Sequence, residues 1–267
     1  MNSLLRVIGR LLAAYLNQPA HESYIQPTNI AALSGLLKPA DVLLVEGNRR
    51  ISTAIKYLTQ STWSHAALYI GRLPVTAGAG DQPAFVEADV ETGVRVVGLD
   101  SFAGLQLRLC RPIGLTDADA ARVVAHVCAR IGNRYDLKNV FDLARYLFPT
   151  PPVPSTWRRR MLTLGSGDPT RAICSSLIAE AFQSVRFPIL PLIETLPAPT
   201  RHCANCVQEQ WHIRHHSLFV PRDFDVSPYF DIVKPNMANG FDYRCLPWDS
   251  PGPATSLPQQ RESLIEN

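Results

Sequence analysis

The chain lacks any run of about 18 apolar residues, the length needed to cross a bilayer as a helix, so no transmembrane helix is expected. It also lacks the uninterrupted apolar stretch of a signal peptide. Leu4, Leu5, Val7, Ile8, Leu11, Leu12, Tyr15 and Leu16 are broken up by Arg6 and Arg10. The net charge of +3 is too small to argue for nucleic acid as a partner. Six cysteines in 267 residues form no disulfide framework, which suits a reducing compartment and a cytoplasmic location. There is no internal repeat and no alternation of strands with crossover helices, which argues against a parallel sheet.

What is present reads as globular. The hydrophobic fraction is 46% and the charged fraction 18%, in a chain long enough for one large domain or two small ones. Twenty-two prolines cluster after residue 148, so the second half is expected to be loop-rich. Three regions follow: an N-terminal helix and linker over 1–35, a domain over 36–248 carrying a Pro/Ser/Gly insertion at 149–170, and a disordered tail over 249–267. The first helix is amphipathic, with Leu4, Ile8, Leu11 and Tyr15 on one face. That face packs on its own domain or lies on a membrane surface. The insertion, with Trp157 and Arg158 to Arg160, is a solvated loop or a lid.

Short apolar runs predict strands at 41–47, 64–71, 84–90 and 93–97, and an alternating run predicts one at 105–111, mostly joined by short links. Ser52 is expected to cap a helix carrying Ile51, Ile55 and Leu58. Thr116 starts another, with Asp119 at the capping-box position and Val123, Val124, Val127 and Ile131 inside. Residues 188–210 read as a Pro-rich loop and 217–233 as a docking tail. The fold class is α+β, an antiparallel sheet packed against segregated helices.

Cys174 sits where a helix should begin. Pro169 and Thr170 precede it, and Leu177, Ile178, Ala181, Phe182 and Val185 follow at helical spacing. A thiol there meets the positive end of the helix dipole, and its pKa should fall. It is either a thiolate nucleophile or a small buried core residue. A cysteine hydrolase also needs a histidine to shuttle the proton and a polar group to orient the ring. His65 lies at the start of an apolar strand, and Glu87 lies inside another, where a carboxylate must be exposed or paired. If those strands are neighbours, Glu87 pairs with His65 and Cys174 approaches the other ring nitrogen.

Cys174-Ser175-Ser176-Leu177-Ile178, preceded by Ser64-His65-Ala66-Ala67-Leu68-Tyr69-Ile70-Gly71, resembles the circularly permuted NlpC-type papain-like cysteine hydrolases, in particular the YiiX/YebB-like branch. The likeness runs over roughly residues 36–235. It implies a permuted papain-like sheet or partial barrel in which the histidine precedes the cysteine. It makes Cys174 the nucleophile, His65 the general base and Glu87 the orienting group. Tyr135, Ser64 and Ser175 fall at substrate or oxyanion positions, with the Cys174 backbone N–H as a further donor. No cofactor is implied. The chain departs from the pattern by the 149–170 insertion, by a Cys/His segment and by the missing signal peptide.

That segment holds His202, Cys203, Cys206, His212, His215 and His216. It is a zinc ligand set, a redox pair or an incidental loop cluster. The expectation is that it holds no metal, with Cys203, Cys206, His212 and His215 as the candidates against that. The expected function is hydrolysis or acyl transfer at an amide or ester through a thioester, on a peptide stem or a lipid acyl substrate. Lecithin–retinol acyltransferases, which the chain also resembles in its permuted order, transfer acyl chains. The alternatives are a non-catalytic binding module on the same fold, against which the complete Cys174/His65/Glu87 set argues, and a zinc-binding scaffold.

Overall fold

Five strands from the first half of the chain and one from residues 230–233 build one six-stranded sheet. In the computed structural model, which describes residues 18, 27–74, 81–89, 92–133, 173–197 and 207–234, a short helix α1 (Ile30–Ser34) leads to β1 (Val42–Glu46). Next come α2 (Arg50–Thr59), β2 (His65–Leu73), β3 (Gln82–Asp89), β4 (Gly93–Gly98) and β5 (Gln106–Pro112). Two longer helices follow, α3 (Asp117–Cys128) and α4 (Ile173–Ser184). The described part ends with β6 (Leu192–Pro197), β7 (Val207–His212), α5 (Pro221–Asp225) and β8 (Phe230–Val233). Strand order is β4-β3-β2-β1-β5-β8, and every described pairing in it is antiparallel. The class is therefore α+β.

Period-two alternation splits the sheet into two apolar faces. Val42, Leu44, Ala66, Leu68, Val86, Ala88 and Cys110 meet α3 and α4 through Val123, Val127, Leu177, Ile178 and Phe182. Leu43, Val45, Ala67, Tyr69, Phe85, Val97 and Leu109 meet Leu33 of α1 and the turn bearing Leu99 and Phe102. Residues 28–35 belong to this same body. The Thr28 hydroxyl accepts from Leu107 N–H at 2.8 Å, and Asn29 caps α1 by accepting from the Ala31 and Ala32 amides.

Several local expectations are corrected. Ser52 does not cap α2; Arg49 holds the cap position without a side-chain bond, and Ser52 is buried inside the helix. It faces Gly47, where an added Cβ would stand 2.2 Å from Ser52 Oγ and 2.9 Å from Ser64 Oγ, so only glycine fits. Thr116 does cap α3, but the helix stops at Cys128 and Ile131 is exposed. The Pro-rich stretch contains a hairpin, β6–β7, with every strand residue exposed. Its proline, Pro197, sits at a strand end, where a missing N–H costs the ladder least. The docking tail becomes α5 and an edge strand, with β8 pairing to β5 from Leu109↔Val233 to Pro112↔Phe230. The expected N-terminal helix, Tyr135, the 149–170 insertion, Cys203, Cys206 and the 249–267 tail lie outside the described residues.

Candidate active site

The β2 strand is clamped just before its histidine. The Trp63 indole N–H donates to Asp225 Oδ2 on α5 at 2.9 Å. The Arg108 guanidinium, itself paired to Asp225, lies 4.9 Å from the Trp63 ring centroid. Ser64 Oγ accepts from the Gly47 amide at 3.0 Å. His65 follows, at the first residue of the strand, with its side chain a quarter exposed.

Glu87 reaches the histidine from the neighbouring strand. Ala67 stands directly opposite Glu87, so His65, two residues back on the same face, is its diagonal neighbour. His65 Nε2 lies 2.8 Å from Glu87 Oε2. The other carboxylate oxygen, Oε1, accepts from Arg95 Nε at 3.0 Å and Nη2 at 2.8 Å. Arg95 is the residue opposite Glu87 on β4.

The helix α4, with Cys174 in its first turn, arrives where two strands part. The β2–β3 ladder ends at Ala67↔Glu87, although β3 itself continues to Asp89 beside β4. The next β2 amide, Ala66 N–H, points to the Cys174 sulfur, as does the Ser175 N–H at the start of α4. Cys174 is only 5% exposed. Its side chain bonds the His65 ring, whose Nε2 is taken by Glu87, leaving Nδ1 for the sulfur. Ser175 Oγ donates to the Phe219 carbonyl at 2.8 Å and ties the first turn of α4 to the segment before α5.

The charges follow from these contacts. Burial alone would lower the His65 pKa, but the adjoining Cys174 thiolate and the Glu87 carboxylate outweigh it and raise it to about 10. Burial alone would raise Glu87, but bonds from His65 and Arg95 hold it at about 2. Burial likewise opposes ionisation of Cys174, and the imidazolium with the Ala66 and Ser175 amides brings its pKa below the ordinary value. The guanidinium of Arg95, the Glu87 carboxylate and the His65 imidazolium alternate in sign, and the imidazolium favours the thiolate form of Cys174. By contrast, burial pushes Cys110 up to about 12, and burial raises Cys128 as well.

The structure thus brings together the three residues expected to share the chemistry. Ser64 and Ser175 flank two of them, with both hydroxyls in bonds to the backbone. Of the Cys/His segment, His212 pairs with Glu194 at 3.2 Å on the exposed hairpin, and His215 Nδ1 lies 2.8 Å from Ser217 Oγ. Among the described residues no group of three or more His, Cys, Asp or Glu side chains could hold a metal ion, and no helix is long and apolar enough to cross a membrane. Arg95 is the residue the sequence reading missed. The turn around Thr92, with Gly93 at φ 82°, sets a hairpin register that puts 95 opposite 87. A cavity of about 220 Å³ lies at the other end of α4, lined by Phe187, Ile189, Leu190, Trp211, Arg214 and Phe219 among others. None of the three site residues lines it.

No family model matches the chain, and no curated protein matches it. A solved structure it resembles is that of the metalloprotein YiiX from Escherichia coli O157:H7, at 13% identity and a TM-score of 0.42, over 74% of this chain and 96% of that one. The likeness is distant, and the chemistry of the site rests on its own residues.

Proposed function

We propose that the protein is a cysteine-nucleophile hydrolase or acyl-transfer enzyme acting on an amide or ester, on a permuted papain-like scaffold in which the histidine strand precedes the cysteine helix. One observation carries this reading: a buried thiol at a helix start, bonded to an imidazole that a buried carboxylate holds from the other side. In this reading the Cys174 thiolate attacks the substrate carbonyl carbon, and the carbonyl oxygen takes the negative charge. The resemblance to permuted papain-like hydrolases assigns the Cys174 backbone N–H as a donor to that oxygen. As the tetrahedral adduct collapses, the His65 Nδ1 proton passes to the departing amine or alcohol, leaving an acyl thioester and a neutral imidazole. Water or a second acceptor then gives its proton to Nδ1 and attacks the thioester, releasing the thiolate. Glu87 stays ionised throughout and holds the ring through Nε2.

The substrate classes are a peptide stem and a lipid acyl ester, and the decisive experiment offers both. The full chain is incubated with stem peptides, phospholipids and activated acyl esters, and Cys174 is examined by peptide mass spectrometry. An acyl adduct on Cys174 that is lost in His65→Ala supports the reading and names the class. Absence of any adduct, with Cys174 reacting no faster than an ordinary thiol, sinks it in favour of a binding module.

A further inference from the structure

We propose that Arg95 is a positioning residue for this site, acting on His65 and Cys174 through Glu87. The proposal rests on the functional reading above. Glu87 has two oxygens and a nearly closed environment, its side chain being 8% exposed. Oε2 serves His65, and Oε1 accepts from Arg95 through two N–H donors of one guanidinium. A carboxylate bonded on one oxygen only can rotate about its last torsion, and the ring it holds turns with it. With both oxygens held, the plane of the carboxylate is fixed and so is the direction in which Oε2 meets Nε2. Arg95 comes from β4, directly opposite Glu87, so the hold is set by strand register rather than by a loop.

Arg95 also contributes charge. Burial favours the protonated form of Glu87, and two cations oppose it, His65 and Arg95. Without the guanidinium, Glu87 takes up its proton at a higher pH. A carboxylate held less firmly stabilises the imidazolium less well, and the thiolate beside it is protonated at a higher pH. The two contributions separate by substitution. Lysine keeps the charge but cannot place two donors on one oxygen, and glutamine loses the charge. Arg95 is 44% exposed on its side chain, so neither change opens the core.

The test is the rate of Cys174 alkylation by iodoacetamide between pH 4 and 8, read by peptide mass spectrometry on folded protein. Arg95→Gln is expected to move the acid limb up by at most about one pH unit, the lower end of the effect of one opposite charge on the group it touches. Arg95→Lys is expected to restore most of that shift. In a Glu87→Gln background, Arg95→Gln is expected to add nothing, since the pathway runs through the carboxylate. A wild-type acid limb well below that of an ordinary thiol, superimposed on that of Arg95→Gln, overturns the role of Arg95 and leaves the functional reading standing. So does a shift of the same size in the Glu87→Gln background. A wild-type profile like that of an ordinary thiol overturns both.

Discussion

The indole N–H of Trp63 donates to the Asp225 carboxylate across 162 positions of sequence, at 2.9 Å. The bond fastens α5, near the end of the described chain, to the residue two before the site histidine. Arg108 of β5 completes it by pairing with Asp225 and lying over the indole. The prediction is that Trp63→Phe, which keeps one aromatic ring but loses the donor and part of the packed indole, lowers stability by at least about 1 kcal/mol. Urea unfolding with an unchanged slope is the measurement. A loss no larger than the error of the fit would mean that the indole bond contributes nothing and that packing alone holds the strand start.

A second prediction concerns Gly47. Its missing side chain leaves room for the hydroxyls of Ser52 and Ser64, and the Gly47 amide donates to Ser64 Oγ. Gly47→Ala forces apart β1, α2 and the strand start that carries His65. The expected cost is about 1–3 kcal/mol, the usual range for overpacking. Because the tightest contact is to Ser52 Oγ, the double variant Gly47→Ala/Ser52→Ala should recover part of the loss. Equal stability of the single and double variants would show that Ser64 or the backbone takes the strain instead.

The sequence made much of this legible, for physical reasons that also explain what it hid. Strands β1 to β3 show as short, nearly continuous apolar runs because both faces of the sheet are covered. His65 and Glu87 stood out because a polar group in an apolar strand must find a partner. Arg95 hid because arginine on a half-exposed strand position is ordinary; only the hairpin register gives it a meaning. The β6–β7 hairpin hid because its residues are exposed on both faces, so no alternation marks them. The bonds of Ser64, Ser175 and Trp63 to Gly47, Phe219 and Asp225 depend on tertiary approach, which no local pattern encodes.

The ion pair also predicts how stability depends on pH. His65 is raised from 6.5 to about 10, so its contribution is complete below 6.5 and is lost as pH rises through 10. Cys174 is lowered from 9.0, so its contribution is complete above 9.0 and is lost as pH falls towards the lowered value. With the lowered Cys174 value below 6.5, the native pair holds one proton between 6.5 and 9.0, on the imidazole, and the unfolded chain also holds one, on the thiol. The two contributions cancel there and the pair's share of stability is flat. It falls as pH drops below 6.5 and again as pH rises from 9.0 towards 10. Glu87, lowered from 4.5 to about 2, adds a further loss as pH falls through that range. The measurement is urea unfolding across pH, taken as the difference from a His65→Ala/Cys174→Ala double variant. A difference that declines steadily from pH 6.5 to 9 would mean a raised histidine beside a neutral thiol, and no ion pair.

The last prediction concerns selectivity among thiols. Three of the six cysteines are described, and all three are free. Burial pushes Cys110 up to about 12 and burial also raises Cys128, so neither supplies thiolate at pH 6. Burial opposes Cys174 as well, yet the imidazolium and two amides reverse the balance, so of the three it is the one whose thiolate is favoured. Iodoacetamide at pH 6 should therefore label Cys174 ahead of Cys110 and Cys128, although Cys174 is only 5% exposed. Access and ionisation are told apart by raising the pH. An inaccessible thiol stays slow at every pH, whereas an accessible ion pair keeps nearly the same rate from pH 6 to 8. His65→Ala removes the imidazolium and leaves the helix start and the amides in place. It should turn the flat profile into one that climbs about tenfold per pH unit, as for an ordinary thiol below its pKa. A profile that stays flat in His65→Ala would assign the low pKa to the Ala66 and Ser175 amides alone. The histidine would then be free of the sulfur, and the proposed proton shuttle would lose the contact it depends on.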